Sequence, residues 1–333
     1  MEKSALLLSF CFVFIANVFA QEIENRVLSD LDEEVLTHIV EANSKYTTEG
    51  EVADYIPELG KANPEDIAIA VVKEGGEIIK SGDSEQKFTV QSISKLIGLM
   101  LAVEDLGEEE VFDKMGYYGT NQAFNHFANL ETDGKPLNPM MNAGAILATS
   151  LIKGEGEKPY QRILERIRYI TKNEEIIINE EVYLSEKSTG DRNRGIFHLL
   201  KSSELIDGGE EQLDNYFKQC SIELTTVDLA KIGYFFANQG IRFDGDKTYE
   251  NKAVSSLVLS QMMIAGMYDY SGEYARKVGL PSKSGVGGGI TVSVPQKMGI
   301  GVYSPSLDKH GNSVAGFQMI LDLVQLYDLS LFK

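Results

Sequence analysis

The segment FTVQSISKLIG, residues 88–98, has the pattern of a strand end followed by the start of an apolar helix. Within it, Ser92 and Lys95 are separated by two residues, and helical side chains at this spacing share a face, so the amine can reach the hydroxyl. A serine in the first turn also lies near the positive end of the helix dipole, which favours an alkoxide-like state. The segment predicts either a serine nucleophile with a lysine partner or, more simply, a hydroxyl and a charge on a helix.

The S-x-x-K spacing does not decide between these alternatives, because four other pairs share it: Ser84/Lys87, Ser150/Lys153, Ser306/Lys309 and Ser330/Lys333. Only the pair at Ser92 follows a strand-like run and opens a long apolar helix. The other pairs lie in polar loops, at a helix end or at the C-terminus. Context therefore favours Ser92 and Lys95 as the candidate catalytic pair.

A second motif lies in LPSKSGVGGGITVSVP, residues 280–295, where Lys283-Ser284-Gly285 enters a predicted strand. The glycines after it predict either a flexible turn or a backbone that approaches a substrate, where an amide donor completes an oxyanion hole. A phosphate-binding loop would need a following helix, and here a strand follows. An early S-x-x-K pair combined with K-[ST]-G on a late strand is the signature of penicillin-binding proteins and serine β-lactamases.

Strand patterns occur near both ends of the chain, at residues 66–83 around Gly75-Gly76 and at residues 289–305 around Pro295-Gln296-Lys297. Amphipathic helices are predicted at 29–43 and 312–329, and the apolar spacing between 88 and about 270 is mostly helical. The sequence therefore predicts an α+β fold, and the resemblance of the two motifs to those of penicillin-binding proteins and serine β-lactamases implies the β-lactamase/DD-peptidase type. Its antiparallel sheet combines N- and C-terminal strands flanked by helices, with an inserted all-helical domain.

The predicted organisation is a signal peptide at 1–20 and one catalytic unit at 21–333. Within that unit, residues 21–87 and 271–333 form the α/β part, and residues 88–270 form the mainly helical part. The leader MEKSALLLSFCFVFIANVFA has one lysine, an uncharged run and a small-x-small-like site ending at Ala20, typical of cleavable secretory signals. Its apolar run is shorter than the ~20 residues of a membrane-spanning helix.

Secretion predicts an extracytoplasmic location, periplasmic or fully secreted, with no membrane contact after cleavage. Cleavage after Ala20 would remove Cys11 and leave Cys220 alone, so no internal disulfide is predicted, and Cys220 is expected to be a buried small hydrophobe. The net charge of -19 and the lack of a basic run argue against nucleic acid as a partner. The histidines lack metal-ligand spacing and receive no role: His38, His126, His198 and His310.

Eight segments together resemble the serine-dependent glutaminases: ADYIPELGKANP, FTVQSISK, QAFNHFANLE, LNPMMNAGAI, LSEKSTGDRN, DNYFKQCSIELTTVDLA, GMYDYSGEYARKVGLPSKSGVGGGI and SPSLDKHGNSVAG. The resemblance runs from about residue 25 to the C-terminus. It implies a β-lactamase-like fold and hydrolysis of L-glutamine to L-glutamate and ammonia without a metal or cofactor. It also implies a homo-oligomer, either a dimer or a tetramer.

The resemblance implies that Ser92 is the nucleophile, that Lys95 is its activating partner and that Tyr268 relays protons. The backbone N–H groups of Ser92 and Val286 would form the oxyanion hole. The positions that match the family's glutamine-binding residues are Tyr55, Asn142, Glu186, Asn193, Tyr216 and Tyr268. This set suits an amino acid, because Glu186 supplies an anion for its ammonium and the Asn and Tyr side chains supply donors for its carboxylate.

Taken singly, each of these residues has a simpler interpretation as a helix cap, a surface charge or a core aromatic. For the mechanism, Lys95 must lose solvation to act as a base, and a phenol held near an ammonium is expected to become more acidic. A β-lactam-reactive serine hydrolase remains an alternative, although the chain has no S-D-N triplet. A non-catalytic amino-acid-binding protein is another, although it would not need Ser92 and Lys95.

Overall fold

The computed structural model of the protein describes residues 27–130 and 134–332. The signal peptide predicted at residues 1–20 lies outside these ranges. Among the helices that the structure describes, none is long and apolar enough to cross a membrane.

The described strands form one main sheet and two short pairs. In chain order they are β1 (Glu51–Val52), β2 (Ala68–Val72), β3 (Ile78–Gly82), β4 (Phe88–Thr89), β5 (Glu223–Leu224), β6 (Ser282–Ser284), β7 (Gly289–Val294), β8 (Met298–Tyr303) and β9 (Ser306–Leu307). The main sheet is antiparallel with the order β3-β2-β8-β7-β6, and β2 pairs with β8 so that Val71 lies opposite Ile300. The N-terminal hairpin therefore joins the C-terminal strands, which confirms the predicted fold class.

The described α-helices surround this sheet and fill the middle of the chain. They are α1 (Glu33–Asn43), α2 (Lys95–Leu106), α3 (Glu108–Asp113), α4 (Asn142–Leu151), α5 (Lys158–Thr171), α6 (Glu180–Thr189), α7 (Asp191–Ser202), α8 (Glu210–Cys220), α9 (Thr226–Ala237), α10 (Lys252–Ala265), α11 (Ser271–Lys277) and α12 (Val314–Tyr327). Helix α1 begins later than predicted because Leu28–Asp30 forms a 3₁₀ turn, after which the Asp32 carboxylate caps the Val35 N–H.

Both faces of the sheet are covered, and the side chains of β2 alternate between them. Ile69 and Val71 belong to the core beneath α1 and α12, whereas Ala70 and Val72 face α9. Helix α9 lies very close to β8, since a Cβ added to Gly299 would lie 2.1 Å from the Ala230 carbonyl oxygen. Glycine in β8 permits this approach.

Helix α2 is the central helix of the helical part. Its residues from Lys95 to Val103 are all buried, and it packs against α4, α5 and α10. Its first residue lies close to the sheet, because the 3₁₀ turn before it contacts β6 and β7. The start of α2 therefore lies where the sheet and the helical part meet, and the candidate site forms at this junction. The division of the chain at residues 88 and 270 stays a prediction.

Candidate active site

Ser92 lies on a 3₁₀ turn rather than on the α-helix that its spacing predicts. Strand β4 pairs with β5, the 3₁₀ turn spans Gln91–Ser94, and α2 begins only at Lys95. Gln91 has φ 47°, in the left-handed region, which costs a non-glycine residue about 1 kcal/mol or more. The tight turn directs Ser92 towards a cavity, and the serine side chain remains largely buried.

Lys283 and Ser284 lie on strand β6, as the K-S-G motif predicts, and the glycine run after them forms a turn against the Ser92 segment. Ser284 ends β6, and residues 285–288 connect it to β7. A Cβ on Gly285 would lie 2.7 Å from the Val90 carbonyl oxygen and 3.4 Å from the Ser92 nitrogen. The glycines are needed because this turn packs directly on the backbone beside the serine.

Two backbone amides at the cavity, those of Ser92 and Val286, are the candidates for the predicted oxyanion hole. The Val286 N–H has no hydrogen-bond acceptor among the described residues, and Val286 lines the same cavity as Ser92. The Ser92 N–H lies in the first turn of a 3₁₀ helix, where amides lack intrahelical partners. Amides without acceptors are available to stabilise developing negative charge, and the pairing of these two into an oxyanion hole stays a prediction.

The cavity beside Ser92 brings together seven of the nine predicted site residues: Tyr55, Ser92, Asn142, Glu186, Asn193, Tyr216 and Val286. They come from the loop after β1, the 3₁₀ turn, the N-termini of α4 and α7, the middle of α6 and α8, and the glycine turn. Tyr55 lies at the rim and is half exposed. The other two predicted residues, Lys95 and Tyr268, do not line the cavity but contact Asn142 and Ser92, which do.

The Lys95 amine is completely buried at the start of α2. It donates to the Met140 carbonyl oxygen at 3.1 Å and to Asn142 Oδ1 at 2.7 Å, rather than to Ser92. Burial lowers the pKa of Lys95 from 10.5 to about 8, although the charge of Glu186 opposes this shift. With two N–H groups engaged, a neutral amine retains its lone pair as a proton acceptor.

Glu186 is a buried carboxylate with one unpaired oxygen. Burial raises the pKa of Glu186 from 4.5 to about 8, while a hydrogen bond from Gln91 and the charge of Lys95 act in the opposite direction. Oε2 is buried and has no hydrogen-bond partner. A buried carboxylate oxygen without a partner is costly, so this atom indicates a site for a cationic group of a ligand.

Asn142 connects the lysine to the neighbouring helix. Its Oδ1 accepts from Lys95, and its Nδ2 donates to Asn193 Oδ1 at 2.9 Å. Because this bond uses the carbonyl oxygen of the Asn193 amide, the amide nitrogen of Asn193 remains available as a donor at the cavity wall. These contacts hold the side chains of Asn142 and Asn193 in fixed positions relative to the Lys95 amine.

Tyr268 lies directly against the serine, but its phenol is less acidic than expected. Burial raises the pKa of Tyr268 to about 12, although hydrogen bonds with Ser92 and Ser284 lower it. The hydroxyl donates to the Ser284 carbonyl oxygen at 3.2 Å. The Lys283 amine lies 4.1 Å from the ring centroid, and loss of solvation still outweighs any acidifying effect of such a neighbour.

Sequence reasoning missed several residues at this site. Gln91 lines the cavity and forms a hydrogen bond with Glu186. In the sequence, only its position next to Ser92 could have indicated that it belongs to the site. Phe124 lines the cavity and packs against Tyr268 at 4.7 Å between ring centroids. Lys283 is buried, with its amine donating to the Gly266 and Ser284 carbonyl oxygens. The K-S-G motif identified the segment that contains Lys283, but nothing in the sequence indicated a role for the Lys283 amine.

Cys220 also lines the cavity and is buried, as a small hydrophobe would be. Burial raises the pKa of the Cys220 thiol, so it stays protonated and is a poor nucleophile. No group of three or more His, Cys, Asp or Glu side chains within residues 27–130 and 134–332 is placed to hold a metal ion.

Comparison of the chain with known proteins identifies one family. The family model described as "Glutaminase" matches residues 50–332. The chain is 47% identical over 302 residues to "Glutaminase 2" of Clostridium perfringens, covering 89% of this chain and 99% of that protein. The solved structure of "Probable glutaminase ybaS" has a TM-score of 0.86 at 39% identity and covers 91% of this chain and 100% of its own.

A further solved structure is a covalent complex between the Bacillus subtilis glutaminase YbgJ and 5-oxo-L-norleucine, formed by reaction with 6-diazo-5-oxo-L-norleucine. Its TM-score is 0.82 at 34% identity, and the match covers 90% of this chain and 99% of that one.

Proposed function

Since the chain belongs to the glutaminase family and has its β-lactamase-like fold, we propose that its glutamine amidohydrolase activity is carried by Ser92, Lys95 and Tyr268. The observation that carries this assignment is the cavity in which Ser92 and the unpaired oxygen of Glu186 occur together. One end of this cavity suits a reactive carboxamide, and the other suits an ammonium.

In this proposal the substrate's α-ammonium pairs with Glu186 Oε2, which removes the cost of the unpaired oxygen. The Asn193 amide and the hydroxyls of Tyr55 and Tyr216 donate to the α-carboxylate. All of these residues line the cavity, and all except Tyr55 lie mostly inside the protein. The side-chain carboxamide then reaches Ser92, with its oxygen at the amides of Ser92 and Val286.

The reaction proceeds in two steps. Lys95, neutral in a fraction of molecules because its pKa is about 8, accepts the Ser92 proton while Oγ bonds to the carboxamide carbon. Tyr268, protonated because its pKa is about 12, passes a proton to the leaving nitrogen as the C–N bond breaks and ammonia departs. Water then attacks the glutamyl ester and gives a proton to the Tyr268 phenolate; the C–O bond breaks, glutamate leaves, and Lys95 returns its proton to Ser92 Oγ.

The test is ammonia release from glutamine, asparagine and a chromogenic β-lactam, measured in parallel. We expect turnover of glutamine, and we expect Ser92→Ala to reduce it by roughly three orders of magnitude or more. Ser150→Ala is the matched control, because Ser150 ends α4 with its hydroxyl bonded to the Leu147 carbonyl oxygen. Mass spectrometry should find an adduct of 6-diazo-5-oxo-L-norleucine on the wild type and none on Ser92→Ala. Full activity of Ser92→Ala would refute the assignment.

We also propose that the protein is secreted after cleavage at Ala20 and acts as a homo-oligomer. The leader sequence supports the first proposal, and the resemblance to an oligomeric family supports the second. N-terminal sequencing of protein from its native source should begin at Gln21, and light scattering should give at least twice the mass of one chain. An intact Met1 or a monomer would contradict the respective proposal.

A further inference from the structure

A loop between β9 and α12 packs directly behind the proposed proton relay. A Cβ added to Gly311 would lie 3.6 Å from Tyr268 Cε2 and 3.6 Å from Val286 Cγ1. The preceding residue, His310, places its Nδ1 3.0 Å from Asp269 Oδ2. The loop therefore lies beside the Tyr268 ring, and it contacts through His310 the residue that follows Tyr268 in the chain.

Tyr268 needs such support because its backbone is strained. Its φ is 58°, in the left-handed region, and a strained non-glycine residue persists only where its surroundings hold it firmly. On one side, Ser271 Oγ accepts from the Met267 N–H at 3.0 Å and donates to the Tyr268 carbonyl oxygen at 2.8 Å. These bonds lie within the turn itself, whereas the Asp269–His310 contact ties the turn to a different element.

His310 is itself held in place. Its N–H donates to Asp308 Oδ1 at 2.8 Å, and the same oxygen accepts from the Asn312 N–H at 3.0 Å. The imidazole stacks on Tyr270, with 5.1 Å between ring centroids and 29° between ring planes. Only 22% of the His310 side chain and 26% of the Asp269 side chain are exposed, so solvent screens their contact less than it screens a surface pair.

We propose that His310 is a positioning residue for the glutaminase reaction: through Asp269 it keeps the Tyr268 turn fixed, so that the phenol stays against Ser92. The inference rests on the proposed role of Tyr268. It predicts a fault in the chemical step rather than in substrate binding, because His310 lies outside the cavity that holds glutamine.

The decisive variants are His310→Leu, which removes the ring nitrogens, and His310→Asn, which retains a donor nitrogen at the δ position. We expect His310→Leu to lower kcat roughly tenfold with KM within about twofold, since small displacements of a catalytic group are costly. His310→Asn should recover most of the loss. Asp269→Ala removes the same contact from the other side and should reproduce the loss in kcat. His38→Leu is the control, because His38 lies exposed on α1.

Tyr268→Phe separates this inference from the proposed function. If Tyr268→Phe retains wild-type kcat, the proposed relay is wrong and the positioning role falls with it. If Tyr268→Phe is impaired but both His310→Leu and Asp269→Ala are unimpaired, only the positioning role is wrong. In the Tyr268→Phe background, His310→Leu should cause little further loss. A full additional tenfold loss there, or equal losses for His310→Asn and His310→Leu, would overturn the inference.

Discussion

At the scale of single residues, the binding role proposed for Glu186 comes at the expense of stability. Its carboxyl is buried, its Oε2 is unpaired, and its pKa is raised from 4.5 to about 8. Because the folded pKa is higher than the unfolded one, the stability linked to this group is complete below about 4.5 and is lost as pH rises through about 8. In the substrate-free protein, the ionised form of the buried Glu186 carboxyl therefore destabilises the fold.

Glu186→Gln should separate these two effects. We expect kcat/KM for glutamine to fall at least roughly tenfold, because the substrate ammonium loses a charge-assisted hydrogen bond of ~1.5–3 kcal/mol. The ligand-free variant should be more stable than the wild type at about pH 9, by about 1–3 kcal/mol, and nearly equal to it at about pH 4. Steady-state kinetics and urea unfolding at both pH values measure these changes.

A glutamine analogue without the α-amino group is the control for binding, since it has no ammonium to lose its partner. Equal losses of kcat/KM for glutamine and for this analogue would show that Glu186 acts in the chemical step or in folding, rather than in recognition of the substrate ammonium. A variant that is less stable than the wild type at about pH 9 would contradict the electrostatic argument.

As the proposed base, Lys95 should set the pH dependence of the chemical step. Its burial lowers its pKa to about 8, and only the neutral amine can accept the Ser92 proton. We therefore expect kcat to rise with pH up to about 8 and then to level off. The charge of Glu186 raises the pKa of Lys95, so the rising limb should move to lower pH in Glu186→Gln. Stopped assays of ammonia across pH give both profiles, and a kcat that falls between pH of about 6 and about 8 would rule out Lys95 as the base.

At the scale of elements, the turn between β6 and β7 and the 3₁₀ turn at Ser92 support one another. The turn approaches Val90 so closely that a methyl group at Gly285 would overlap a backbone carbonyl at 2.7 Å. Backbone atoms cannot rotate away as the end of a side chain can. We expect the position of Val286, and with it the proposed oxyanion hole, to depend on this contact.

Gly285→Ala should push the two turns apart. We expect a loss of roughly 1–3 kcal/mol in the free energy of unfolding, typical of overpacking, together with a fall in kcat as the two amides separate. Gly272→Ala is the matched control, because a Cβ there meets nothing within 4 Å and its helix α11 gains propensity. Thermal unfolding and kinetics of both variants provide the measurement. Equal behaviour of the two would show that the turns do not need their close contact.

At the scale of the whole molecule, the dominant feature is the net charge of -19. Some carboxylates are paired, as where Arg166 holds Glu104 through two bonds of 2.8 and 3.0 Å. With 31 basic and 50 acidic side chains in the full sequence, many carboxylates must still lack a cation. Mutual repulsion among them opposes the compact state.

Salt should therefore stabilise the protein. Raising NaCl from about 0.05 M to about 0.5 M shortens the Debye length from about 14 Å to about 4 Å and screens this repulsion. We expect the free energy of unfolding in urea to rise by about 1 kcal/mol over this range. Near the sequence pI of about 4.7 the dependence should nearly disappear. A decrease with salt would mean that attractive ion pairs dominate.

The sequence by itself determined the fold class and the family, and it named seven residues that line the candidate site. Strand-like runs at both ends and helical spacing between them predict that N-terminal strands pair with C-terminal strands, as β2 does with β8, because a chain buries its apolar surfaces only in a few arrangements. Recurrent motifs identified the family, as the comparisons confirm. Context, rather than spacing, singled out Ser92 among five S-x-x-K pairs, because only its surroundings change from strand to helix.

Only the tertiary structure decided how these groups act. The partners of Lys95, the unpaired oxygen of Glu186 and the raised pKa of Tyr268 all follow from burial among segments remote in sequence. The same holds for His310, to which spacing gave no role and which the fold places beside Asp269. Local sequence patterns determine which backbone conformation a segment prefers. The solvation of a side chain and its distances to partner groups depend on which other parts of the chain surround it.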